Sequence, residues 1–353
     1  MSQYKSALEF GYANARVRAM RSRLLKEEMV KEILGAESTS GIIGELLQTS
    51  YRKELDEFAG ESIKENMVDF ALKRNLERSV EEVIRITPRH YKKTMLTLLS
   101  KNDYQTIKIV INAKQNGYSF ERISRLLIPS SVIGEKRIKA AFECATIEES
   151  AHALADGTIY SEIVEGAMAA YRKSTNIIDF ELAIDKGSYA SIHSQASKLR
   201  SNDINMARII SLDIEMRNVM TALRAKHANI PEEQLQSLLI LGGITQISAI
   251  LDAYRSAKDT LELAAGIKSF DLSKANEVGE SARQRMLGFE TSMRKQFLKR
   301  CMMLLGSSML SLGSLMVYFY MKSAEVSSLR NIANGKSYGI DSEKLKGMVI
   351  WNE

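Results

Sequence analysis

The residues that could do chemistry are few in this sequence and poorly spaced for it. The four histidines, His90, His152, His193 and His227, are scattered, and none lies three or four residues from another or from a plausible ligand cluster. A helical metal site needs that spacing, because only then do two ligands share a face. Cys144 and Cys301 are the only cysteines, too far apart in sequence to suggest a disulfide framework or a zinc pattern, so a reducing compartment is the default. Cys144, in AAFECATIEES, has no histidine or basic neighbour to activate it and is expected to be a buried structural thiol. No GxxxxGK[ST] loop is present to cradle a phosphate, and the glycines of LILGGITQ follow a helical segment, where a turn is expected. No Ser/His/Asp order stands out, and the acidic runs ERSVEEV and ATIEES read as solvated helix faces. The expectation is a protein without a catalytic, cofactor or metal site.

Charge is more informative. The 353 residues carry a net charge of +6, which favours an acidic protein partner, an anionic membrane surface or a nucleic acid. The densest cluster is FGYANARVRAMRSRLLKEEM, where Arg16, Arg18, Arg21 and Arg23 fall within eight residues, interleaved with an apolar stripe of Tyr12, Val17, Met20 and Leu24. One reading is an amphipathic helix whose arginines face solvent; the other has them bind acidic partner side chains or phosphates. Stacking aromatics or a reader helix, which nucleic-acid binding would want, are not evident.

One phrase occurs three times. DYQTIKIVINAKQNGYSFERISRLL from Asp103, EMRNVMTALRAKHANIPEEQLQSLL from Glu215 and EVSSLRNIANGKSYGIDSEKLKGMV from Glu325 align on Lys114, Lys226 and Lys336. Each lysine follows its acid by eleven residues, a rotation of about 1100°, so acid and lysine share one stripe of one helix. The acid stands toward the N-terminus and the lysine toward the C-terminus, as the helix dipole favours, and the pair is read as a structural brace within or between helices. Three residues past each lysine comes a residue that tolerates a left-handed stop, Gly117, Asn229 or Gly339. A new helix then starts at Ser119, Pro231 or Asp341. Upstream, Phe70, Phe180 and Phe289 repeat at spacings of 110 and 109. A unit this long is a domain-scale triplication and not a solenoid repeat.

With three prolines in 353 residues and no alternating strand pattern, the fold is expected to be all-α. An amphipathic helix over about residues 4–34 is followed by repeat one to Pro129, repeat two over 130–243 and repeat three over 244–353, with turns at TSGIIG, KNDY and ADGT. The N-terminus lacks the apolar core of a secretory signal. Residues 301–321 hold no charge and are long enough to span a bilayer, but their serines and glycines, and their soluble counterpart at 79–100, favour buried core or a partner-covered surface.

YANARVRAMRSRLL (Tyr12–Leu25), KSAEVSSLRNIANGKSYGIDSEKL (Lys322–Leu345) and the triplicated unit together resemble the C subunit of archaeal and bacterial A/V-type rotary ATPases, the counterpart of the d subunit of the eukaryotic vacuolar proton pump. The sequence departs from that pattern in the serine- and glycine-laced run 301–321 and at Asn229–Pro231, where the family usually shows Gly then Ser. The resemblance implies an all-α, pseudo-threefold funnel with a central cavity. It also implies a non-catalytic central-stalk role at the cytoplasmic face of the cell membrane. There the protein would be a peripheral socket that takes the shaft subunits (D and F type), sits on the rotor-ring proteolipid subunits, and passes torque for ion transport. Within that frame Arg16, Arg18, Arg21, Arg23, Glu325 and Arg330 are the expected partner contacts. The competing reading is a basic all-helical adaptor for nucleic acid or a membrane surface.

Overall fold

A computed structural model describes residues 2–60, 64–124, 126–127, 132–199, 203–273, 281–306 and 310–350. The proposed boundary at Pro129 lies outside them. The described residues are helical with no strand, as the scarcity of proline and of β-branched alternation predicts.

The chain divides into two compact units, one of Met1–Ser79 with Ala196–Glu353, the other of Val80–Gln195. The first unit begins with α1 (Ser2–Arg21), α2 (Glu27–Gly35), α3 (Thr39–Leu46), α4 (Arg52–Glu57) and most of α5 (Lys64–Ile86). The second holds α6 (Lys92–Leu99), α7 (Lys101–Gln115), α8 (Phe120–Ser124), α9 (Glu135–Glu143), α10 (Ile147–Ala155), α11 (Ser161–Ser174) and most of α12 (Ile177–Leu199). The first unit resumes with α13 (Ile204–His227), α14 (Glu232–Leu238), α15 (Ile247–Ser256), α16 (Thr260–Gly266), α17 (Ala282–Gly306), α18 (Leu312–Ser337) and α19 (Ser342–Gly347).

Each repeated phrase is one long helix, a left-handed stop and one short helix. Gly117, Asn229 and Gly339 have φ of 64°, 53° and 68°. The residue after each stop donates its N–H to the carbonyl five positions back: Tyr118 to Ala113 (2.9 Å), Ile230 to Ala225 (2.9 Å) and Ile340 to Gly335 (2.8 Å). This Schellman closure satisfies carbonyls that a helix end leaves bare. The short helix then buries one residue under the long one, Ile123, Leu235 or Leu345. On the long helices Ile107, Val219 and Leu329 are buried, as are Val110, Ala222 and Ile332. Phe180 and Phe289 are fully buried in their cores, while Phe70 is only half-buried, its ring 5.5 Å from that of Phe58.

Three segments differ from the sequence reading. The first helix does not run through to residue 34: α1 stops at Arg21, Lys26 is extended and α2 starts at Glu27. TSGIIG is no turn but the start of α3, capped by Ser38, whose hydroxyl accepts from Gly41 N at 3.3 Å. KNDY opens α7, because Ser100 keeps helical angles and the chain coils on from α6. ADGT is a turn, with Gly157 at φ 71°.

Residues 301–321 are split between the end of α17 and the start of α18. Cys301, Leu312, Leu315, Met316 and Val317 are buried, and among the described residues no helix is long and apolar enough to cross a membrane.

Asp203 starts α13 and reaches α18 as well. It accepts from Met206 N at 3.0 Å, an N-cap, and from Gly313 N at 3.3 Å. Burial outweighs these bonds and holds its carboxyl above the ordinary aspartate range. A raised acid binds its proton more tightly folded than unfolded. Its stabilising contribution is therefore present at low pH and lost as pH climbs from the ordinary value, about 3.9, through the raised one. Asp203→Asn removes that titration and turns an amide N–H toward Gly313 N. Urea unfolding at several pH values is expected to show a stability gap between wild type and variant that widens on acidification through this window; a gap independent of pH would contradict the assignment.

Candidate partner-binding site

The acids of the three braces are buried charges in the long helices, and each is met by different donors. Asp103 accepts from the hydroxyl of buried Tyr160. Glu215 accepts from the N–H (2.9 Å) and hydroxyl (2.6 Å) of Thr245. The turn that delivers Thr245 contains Gly242 at φ 100° and Gly243, where a Cβ would lie 2.8 Å from the Glu215 carboxylate. That explains the two glycines of LILGGITQ. Glu325 accepts from Tyr51 Oη (2.7 Å), Leu25 N (2.6 Å) and Lys322 Nζ (2.8 Å), and Lys322 also donates to Tyr51 Oη at 2.9 Å. Burial and the Glu325 charge push the Tyr51 phenol well above its ordinary pKa, so it stays a donor.

The lysines reach a common target. Lys114 donates to the carbonyls of Phe142 (3.0 Å) and Cys144, and Lys226 to that of Tyr254 (2.9 Å). Lys336 donates to Ser342 Oγ (2.6 Å), which donates on to the Leu34 carbonyl (3.2 Å). Phe142, Tyr254 and Leu34 are each the eighth residue of their helix, α9, α15 and α2. The partner of the last long helix therefore comes from the N-terminal segment. The tyrosines agree. Thr49 and Thr158 each donate back three residues at 2.6 Å and accept from the N–H of Tyr51 or Tyr160 two residues on. Tyr51 and Tyr160 are 109 residues apart, the same period as the phenylalanines.

Sequence reasoning missed Tyr51, Tyr160, Thr245 and Lys322. The shared Thr-x-Tyr was a usable signal for the tyrosines, and the Lys322/Glu325 spacing of three residues for the lysine. It also missed the capping box in ATIEES, where Thr146 and Glu149 close the start of α10. Cys144, expected to be buried, is half-exposed, because only its carbonyl is needed inside, by Lys114.

Of the residues expected to meet partners, Glu325 and Arg330 are engaged within the chain. Arg330 Nε bonds Asp69 at 2.6 Å, and Lys73 lies 2.8 Å from the same carboxylate. Arg16, Arg18 and Arg23 are exposed and Arg21 half-buried. The buried stripe of α1 is Phe10, Ala13, Asn14 and Val17, so Tyr12 points away from it. Arg18 and Arg21 flank a cavity of about 430 Å³ with Leu24, Leu25 and Met321. Burial, and then the Arg18 charge, lower the pKa of Arg21, and it has no carboxylate partner among the described residues. No cluster of metal-ligating side chains occurs among the described residues.

These features describe an all-helical protein whose three long helices are braced by buried acids and by lysines that reach backbone carbonyls. The ATP synthase (C/AC39) subunit family matches residues 13–348, and the chain belongs to that family. It is similar to the C subunits of A-type ATP synthases: that of Methanocaldococcus jannaschii at 26% identity over 97% of this chain and 86% of the relative, and that of Pyrococcus horikoshii at 28% over 96% and 90%. The relative of Methanococcoides burtonii is 24% identical over 99% of this chain and 96% of its own length.

The Glu325 cluster yields a measurable expectation. Glu325→Leu strands the Lys322 ammonium in the interior and is expected to cost about 3–5 kcal/mol in denaturant unfolding. The double change Glu325→Leu with Lys322→Met should recover most of that loss. An equal loss in single and double variants would show that the pair is not the source.

Proposed function

We propose that this protein is a non-catalytic central-stalk subunit of an A/V-type ATP synthase/ATPase. In this reading it sits as a peripheral protein on the cytoplasmic face of the membrane, on the ring of rotor proteolipid subunits, and receives the central shaft subunits (D and F type). It passes torque between ion flow in the membrane and ATP chemistry carried out by other subunits. The observation that carries the reading is the family match over 13–348, with relatives that share one name aligned over nearly the whole of both chains. The arrangement of three equivalent repeats, 1–129, 130–243 and 244–353, as a funnel about a central hollow is part of the same proposal.

The physics of the helices supports it. A torque-bearing part must not shear, and each long helix is pinned at both ends of its buried stripe, by its acid and by its lysine. The exposed arginines of α1 are the proposed polar contacts to shaft or ring. Glu325 and Arg330 act from inside, holding α18 to Leu25 and Asp69. Charge reversal at Arg330 would thus disturb folding first, and the cleaner test lies at the exposed arginines of α1 and of the turn that follows it.

Arg18→Glu combined with Arg23→Glu is expected to leave helical circular dichroism unchanged. Recovery of ring and shaft subunits in co-purification from native membranes should fall at least tenfold. Wild-type protein that brings down no rotary subunit would refute the function; variants that assemble normally would refute the role of these arginines.

A further inference from the structure

The α1 helix has no counterpart in the repeat, yet it fills a definite seat. It lies along the first turns of α18, where Ser314 Oγ donates to Asn14 Oδ1 at 2.6 Å and Met321 closes the cavity beside Arg18 and Arg21. Ser314, Tyr318 and Met321 form a stripe at i, i+4 and i+7. The same stripe on α13, 110 residues earlier, is Ile204, Arg208 and Ser211, and among the described residues no helix covers it. An open groove of about 630 Å³ lies over it, with Ile244, Arg300, Met303 and Leu304 on its other walls. Ile204, Ile244 and Met303 are 49%, 57% and 62% exposed. Apolar side chains left together in water in this way mark a docking surface.

We propose that this groove seats a helix from a partner protein, with an apolar face and acidic residues along its edge, held against α13 as α1 is held against α18. The charge pattern selects the occupant. Arg208 and Arg300 both line the groove, no carboxylate does, and neither arginine has a carboxylate partner among the described residues; Arg300 only overlies the Phe270 ring. An acidic helix neutralises both while filling the apolar floor with residues at i, i+3 or i+4 and i+7. A second copy of this chain offering its own α1 would bring Arg16, Arg18 and Arg21, with Arg23 just beyond the helix, toward two more arginines, and like charge opposes that exchange. The inference does not depend on the rotary reading, since it specifies the partner by its chemistry alone.

The test replaces Met303, an exposed position, with p-benzoylphenylalanine in the full chain, in cells that make its natural partners. Irradiation is followed by sequencing of the cross-linked peptide. The expected product is a segment of another protein with apolar residues at helical spacing flanked by Asp or Glu. Arg208→Glu with Arg300→Glu should lower the yield at least tenfold, and Lys at both positions should retain most of it. Should the loss of the Phe270 contact destabilise the double variant, Arg208→Glu alone is expected to lower the yield about threefold or more. Cross-links to lipid, to a second copy of this chain or to a basic segment would overturn the proposal, as would no cross-link from protein of normal helical content. Co-purified ring and shaft subunits in the same preparation report on the rotary reading separately.

Discussion

A carboxylate moved out of water loses hydration worth several kcal/mol unless donors replace it, and this protein sets that requirement at the same place on three long helices. Asp103, Glu215 and Glu325 are each buried among apolar neighbours. A phenol, a threonine on a glycine turn, and a lysine–tyrosine–amide cluster supply the donors. Because all of these donors except Lys322 belong to other segments, the acids decide what lies across each helix. The lysines, three turns further on, do the same for the hairpin helices by claiming the carbonyl of the eighth residue, directly or through Ser342. Hydrophobic burial alone does not fix orientation, since it is nearly indifferent to rotation of one helix about another. The polar braces remove that freedom.

Much of this was legible in the sequence. The all-α class follows from composition, and the three stops from residues that accept positive φ three positions past each lysine. Ser119, Pro231 and Asp341 stand before the short helices as expected. What could not be read was non-local. The partners of Glu325 stand 274 and 300 residues away in sequence, and no periodicity within the tail points to them. Local signals were also ambiguous: Ser38 with Gly41 reads as a turn or as a helix cap, and KNDY as a break or as the first turn of α7. The tertiary surroundings decided both for the helix. Glu325 and Arg330 were legible as special residues, while their attachment inside the chain was not.

The relatives, at 24–28% identity over nearly their full length, fit a fold held by pattern more than by particular side chains. Within this one chain the pattern tolerates Tyr-to-Thr exchange at the acid and Gly-to-Asn exchange at the stop, because each substitute still provides a donor or the required backbone angle. What varies among the helices is what covers them. Among the described residues, the seat that α1 fills on α18 is left open on α13, so similar helices present different surfaces.

The N-terminal hairpin has a consequence for how the molecule is made. Residues 26–57 emerge from the ribosome early, but the helix that they brace, with Glu325 and Lys336, comes about 270 residues later. At synthesis rates of 5–20 residues per second, about 15–55 s pass between the two. During that interval Tyr51 lacks Glu325 and Lys322, and α2, though packed on α3, lacks the late helix α19. The nascent chain must hold its opening segment in reserve until its last helices appear, which makes this the stretch where chaperone capture and misassembly compete with folding.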